Sequence, residues 1–137
     1  MKELKINHFA VLVAFVLQFL FGYLWYAPFL FGETWADMVG IDLNAAPSLG
    51  DWIHNIISAA VSMYVLAWLF TKLNVTTWQR GALFGFIIGF SFVLLSVKTS
   101  NAFSQLPYGL AWITAGFTTF GLTVAGIVLG AWPKYKE

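Results

Sequence analysis

The sequence predicts an all-α fold, a polytopic membrane bundle of four transmembrane helices with a short interfacial helix in its first outer loop. Three observations predict it. Four long apolar stretches are separated by short polar segments. Of the 137 residues, 60% are hydrophobic and 9% charged, with a mean hydropathy of +0.79, whereas a soluble domain carries about a quarter charged residues. The charges also alternate in sign from one connection to the next. Lys2, Lys5, Lys72, Arg80, Lys134 and Lys136 fall on one side of the expected membrane, and Glu33, Asp37, Asp42 and Asp51 on the other with Lys98. The positive-inside rule puts the six basic residues, and with them both termini, in the cytoplasm. A single membrane domain over residues 1–137 follows, with spans at about 8–31, 49–70, 81–97 and 108–132.

The first span follows the basic start Lys2-Glu3-Leu4-Lys5. A cleaved signal has an apolar region of only about 7 to 15 residues and a small-residue exit. This stretch would rise about 36 Å as a helix and leaves through the bulky Trp25-Tyr26-Ala27-Pro28-Phe29, so it reads as an uncleaved span with Trp25 and Tyr26 at the interface. Pro28 kinks or ends that helix. The long connection that follows has acids and no Lys or Arg, which places it outside. Thr34 opens and Gly40 closes a short helix there, with Trp35, Met38 and Val39 on one apolar face lying on the membrane surface.

Ser48 with Asp51 three residues on has capping-box spacing and opens the second span. Thr76 and Gln79 have the same spacing before the third. Asn74-Val75-Thr76 matches a glycosylation acceptor, but a cytoplasmic turn keeps it unmodified. The connection after the third span, Thr99 to Pro107, is polar and almost uncharged, and the fourth span then runs to Trp132.

Helix association in lipid depends on close packing at small residues and on side-chain hydrogen bonds, because lipid tails are as apolar as leucine. Gly81, Gly85 and Gly89 recur at intervals of four along the third span, and Gly126 and Gly130 repeat the device on the fourth. These glycines predict contact between spans three and four, with a homodimer seam as the other reading. Gln18, Tyr23, Thr114, Thr118, Thr119 and Thr123 are expected to bond across helices or back to their own backbone.

Intramembrane polar residues are costly and normally face the bundle interior or water. Asp51, His54, Asn55, Ser58 and Ser62 share one helical face of the second span. With Lys98, Tyr26 and Tyr108 at the same level, they outline a candidate outward-facing polar pocket; the competing reading is a set of interfacial residues with Lys98 snorkelling to headgroups. Asp51 and His54 are too few for a zinc site, no catalytic residue is assigned, and no cofactor is expected. The absence of cysteine excludes disulfides and thiolate chemistry, and a net charge of +1 argues against a nucleic-acid partner.

Trp25-Tyr26-Ala27-Pro28, followed by Phe31-Gly32 and Trp35, resembles the signature of the DUF1761 family of small bacterial integral membrane proteins. Val75-Thr76-Thr77 leading into Gly81-Ala82-Leu83, and the closing Leu129-Gly130-Ala131-Trp132, are similar to that family as well. Glu33 departs from it, since members often carry a basic residue there. The resemblance implies a small multi-span protein of the bacterial inner membrane and supplies no substrate, cofactor or active site. Three functions are compatible with these features. The first is a structural or accessory protein that packs against itself or a larger membrane complex. The second is a homo-oligomeric small channel or transporter, and the third an outer-leaflet lipid or quinone enzyme using His54, Asp51 and Lys98. The expected partners are membrane lipids together with a further copy or a larger complex.

Overall fold

The computed structural model describes residues 2–137. Five helices follow a short N-terminal strand: β1 (Leu4–Lys5), α1 (His8–Trp25), α2 (Gly32–Val39), α3 (Leu49–Lys72), α4 (Trp78–Phe103) and α5 (Leu110–Ala131), with β2 (Lys134–Tyr135) at the end. All but α2 are long and apolar enough to cross a membrane. They form a four-span bundle with the short α2 across one end.

Each helix stops or starts where local chemistry dictates. Asn7 caps α1, its side-chain oxygen accepting from the Phe9 and Ala10 amides. Ser48 and Asp51 form the expected capping box on α3. At α4 the cap is Thr77 rather than Thr76, because Thr77 is the extended residue whose hydroxyl accepts from the Arg80 amide at 3.3 Å. Three helices end alike, on a residue at positive φ followed by an amide that reaches back to a carbonyl of the last turn. These residues are Gly40, Asn74 and Gln105, with bonds from Ile41 to Ala36, Val75 to Phe70 and Leu106 to Asn101.

Two boundaries differ from the sequence expectation. The first helix ends at Trp25, before Pro28, and residues 26–31 fold into a tight turn. The third span runs on past Val97 to Phe103, since the polar residues there do not break the helix. Thr99 bonds back to the Leu95 carbonyl at 3.0 Å, and the Lys98 ammonium sits over the Tyr108 ring. Near its middle, α4 carries one π-helical segment, Gly89–Leu94. In α2 the packed residues are Ala36 and, half-buried, Trp35 and Met38; Val39 is exposed because it lies off that face.

The last helix, α5, is the hub, with half of its span buried where the other spans bury about a fifth. Along one side it meets α4 backbone to backbone. A Cβ on Gly81 would strike the Gly126 carbonyl, one on Gly85 the Leu122 carbonyl, and one on Gly89 would lie 2.6 Å from the Thr119 Cα. Reciprocally, Cβ atoms on Gly126 and Gly130 would strike the carbonyls of Gly81 and Thr77. The glycine stripes of α4 and α5 therefore meet within one chain.

On its other side α5 packs against α1 and part of α3 in a shared core. Ala10, Val11 and Ala14 of α1, Met63, Leu66, Ala67 and Phe70 of α3, and Leu122, Ala125 and Leu129 of α5 make one apolar cluster closed by Val75. That cluster lies entirely at the end of the bundle holding the termini. There the chain ends are clasped: Leu4 pairs with Tyr135 and Lys5 with Lys134 in an antiparallel ribbon. The Lys136 amide donates to the Glu3 carbonyl and its ammonium to the Glu3 carboxylate, each at 2.8 Å. Both termini thus share one side, as an even number of crossings requires.

Gly85→Ala should cost about 1–3 kcal/mol by overpacking. A Cβ on Gly50 meets only the Ser48 hydroxyl, at 3.8 Å. Thermal unfolding in detergent should therefore show a clear drop in Tm for Gly85→Ala and none for Gly50→Ala. The clasp makes a second prediction. The Lys136 hydrogen bond and charge hold the Glu3 carboxyl below the ordinary glutamate range. A depressed folded pKa means that the clasp contributes above the unfolded value and is lost as pH falls through the folded one. NMR titration of the Glu3 side chain should show this lowered midpoint, and Lys136→Gln should return it to the ordinary range.

Candidate functional site

Helix α3 presents two different faces. Met63, Leu66, Ala67 and Phe70 recur at i, i+3, i+4 and i+7 and form its core face. Asp51, His54, Asn55, Ser58 and Ser62 form a second stripe, turned about a third of a revolution away at roughly 100° per residue. The stripe therefore points away from the rest of its own chain, and all five residues are exposed. Exposure is broader still at the far end, where every residue from Leu49 to Ser58 is exposed, including Trp52, Ile53, Ile56 and Ile57. This half of α3 leaves the bundle on all sides.

Within the stripe, Asp51 is already engaged. Its carboxylate accepts from the Ser48 amide at 3.2 Å and from the Ser48 hydroxyl at 2.8 Å. Among the described residues, His54, Asn55, Ser58 and Ser62 make no side-chain hydrogen bond, so their polar atoms are free for another molecule.

The other sequence candidates sit elsewhere. The Lys98 ammonium lies 3.9 Å from the centroid of the Tyr108 ring, a cation–π contact between α4 and the loop entering α5. Tyr26 packs edge-on against Trp35 at 5.1 Å and Phe117 at 5.8 Å. In the single chain the eight polar candidates thus form three groups: the α3 stripe, the Lys98–Tyr108 pair, and Tyr26 in an aromatic corner. No hydrogen bond or ion pair joins one group to another among the described residues.

That corner organises the far end. The Trp25 indole donates to the Ile113 carbonyl at 2.9 Å and its ring stacks on Phe120 at 5.7 Å. Ala27 and Gly32 are buried beneath it, and a Cβ on Gly32 would strike the Tyr26 carbonyl. Glycine is needed at residue 32 because α2 folds directly back on the turn that precedes it. Beside α2 opens an acidic cup of about 340 Å³, lined by Glu33, Ala36, Asp37, Ile41, Asp42 and Leu43. Among the described residues, no three His, Asp or Glu side chains gather closely enough to hold a metal ion.

The family model described as "Protein of unknown function (DUF1761)" matches residues 9–130. The chain belongs to the DUF1761 family. No curated protein and no solved structure matches it significantly. In this DUF1761 protein Trp25, Tyr26, Ala27, Gly32 and Trp35 build the corner joining α1, α2 and α5. Gly130 completes the α4–α5 seam, and the Trp132 carbonyl accepts from the Asn7 side-chain Nδ2 at 3.2 Å.

Two contacts, the His8–Tyr64 bond and the terminal ribbon, had no sequence signal, whereas the bonds of Gln18 were expected. His8 Nδ1 lies 2.9 Å from the Tyr64 hydroxyl, joining α1 to α3 across 56 positions. Gln18 donates to both the Ala14 and Gly121 carbonyls, uniting the two alternatives open to it in sequence. The terminal ribbon is two residues per strand, too short for alternation to reveal. Thr114, Thr119 and Thr123 bond back to their own helix, as intramembrane hydroxyls often do.

Trp25→Phe keeps the ring packing and deletes the indole donor, at a cost of about 1 kcal/mol. Hydrogen exchange should show α2 amides losing protection in this variant while those at the terminal ends of α4 and α5 keep theirs.

Proposed function

We propose that this DUF1761 protein is a packing protein of the bacterial inner membrane that associates with a second copy of itself through the free half of α3, with both termini in the cytoplasm. The observation that carries this reading is the run from Leu49 to Ser58, exposed on every face while bearing a polar stripe. Lipid is a poor solvent for the His54 ring and the Asn55 amide, and interhelical hydrogen bonds there contribute about 0.6 kcal/mol on average.

A second copy suits the stripe because a two-fold seam brings the same patch against itself. That demands self-complementarity. The Asn55 amide both donates and accepts, serine hydroxyls do the same, and the Asp51 carboxylate oxygen not used in the Ser48 cap is left for the His54 of the facing helix. The orientation rests on charge. The clasp collects Lys2, Lys5, Lys134 and Lys136 at the end that also holds Lys72 and Arg80, whereas Glu33, Asp37, Asp42 and Asp51 lie at the other.

Light scattering on detergent-purified chain should give the mass of two copies, and Asn55→Leu should shift it toward one. In membranes, Ser58→Cys should form an oxidative crosslink between chains, while Ile53→Cys, on a different face of the same helix, should not. A single-chain mass with no Ser58→Cys crosslink would refute the seam. A mass of four or more chains would replace it with the channel reading, in which several stripes share one polar pocket.

A further inference from the structure

We propose that the clasp of the two termini is a binding site for the phosphate of an anionic phospholipid in the adjacent leaflet. The argument starts from the strand register. Lys5 lies directly opposite Lys134, so both side chains leave the same face of the ribbon. Side chains paired in this way have Cβ atoms about 5 Å apart, and like charges so placed repel. Among the described residues neither lysine has a carboxylate partner, because Glu3, the acid on the ribbon, is committed to Lys136. Lys72, at the last turn of α3, adds a further positive charge at this end.

An anion seated between Lys5 and Lys134 turns that repulsion into two charge-assisted hydrogen bonds. Both lysines line one small cavity together with Thr71, Phe70 and Leu129. With about 20 Å³ of space the cavity holds a water and not a phosphate, so the phosphate sits at its mouth. The neighbouring surface selects a lipid as the source of that phosphate. Phe9 and Trp132 pack edge to face at 5.2 Å on the bundle side of the ribbon and remain 61% and 42% exposed. They give acyl chains an apolar path leading up to the two ammonium groups, and an indole at this level is typical of a membrane interface.

The test is native mass spectrometry of the full chain in detergent, titrated with phosphatidylglycerol or with phosphatidylcholine of the same acyl chains. Wild type should retain phosphatidylglycerol in preference, and that preference should fall about fivefold for each lysine removed in Lys5→Gln and Lys134→Gln. The charge-preserving pair Lys5→Arg with Lys134→Arg should keep it, as should Lys98→Gln at the opposite end. Equal retention of the two lipids by wild type would overturn the proposal, as would an unchanged preference in the double glutamine variant. Displacement of phosphatidylglycerol by millimolar inorganic phosphate, with no dependence on Phe9→Ala, would overturn the lipid assignment in favour of a free-anion site. The lipid mass is read on one-chain and two-chain species separately, so the outcome is independent of the α3 seam.

Discussion

The contact between α4 and α5 is made by backbone, and the rest of the bundle is arranged around it. Gly81, Gly85 and Gly89 bring α4 so close to α5 that the carbonyls of Gly126 and Leu122 occupy the places where side chains would stand. Such proximity matters more in lipid than in water. Apolar surface has nothing to gain by leaving lipid for protein, so association rests on dispersion contacts and on hydrogen bonds, and both grow steeply as the helices approach. With one flank taken by α4, α5 has the opposite flank for α1 and the inner half of α3, and becomes the most buried span.

The two ends of the bundle are secured differently, and the difference leaves α3 half free. At the terminal end, the β1–β2 ribbon, the Asn7–Trp132 bond and the core around Met63 and Phe70 bind α1, α3 and α5 together. At the far end the Trp25–Ile113 bond and the stacked aromatics fasten α1 to α5 but include no residue of α3. From Ala59 outward, α3 is therefore a lever anchored at one end. The same stretch bears the polar stripe, so the least supported part of the chain is also the part whose chemistry calls for company.

Features that depend on a single helix were legible in the sequence. The spans follow from hydropathy, the capping box of Ser48 and Asp51 from its spacing, the stop at Gly40 from its tolerance of positive φ, and the packing faces of α4 and α5 from the spacing of five glycines, which left contact within one chain and a homodimer seam both open. Features that depend on distant pairs were not. The ribbon needs residues 4–5 and 134–135 to meet, and four residues carry no alternation to signal it. The connection after the third span was expected to begin at Thr99 because the segment is polar, yet the Leu95 carbonyl takes the Thr99 hydroxyl and the Tyr108 ring takes the Lys98 ammonium on a continuing helix. The polar candidates shared a depth in sequence, but depth does not specify azimuth. Asp51, His54 and Asn55 face away from the bundle, while Lys98 is held on α4 and Tyr26 beneath α2.

The central claim is that the glycine stripes of α4 and α5 meet within one chain and not between two. Pulsed electron paramagnetic resonance on spin labels at Leu83 and Ala131, exposed positions on the two helices that form this seam, tests it most directly. Labelled chain diluted into a large excess of unlabelled chain should keep one short, narrow distance. A distance that disappears on dilution, or broadens into a distribution, would contradict the account.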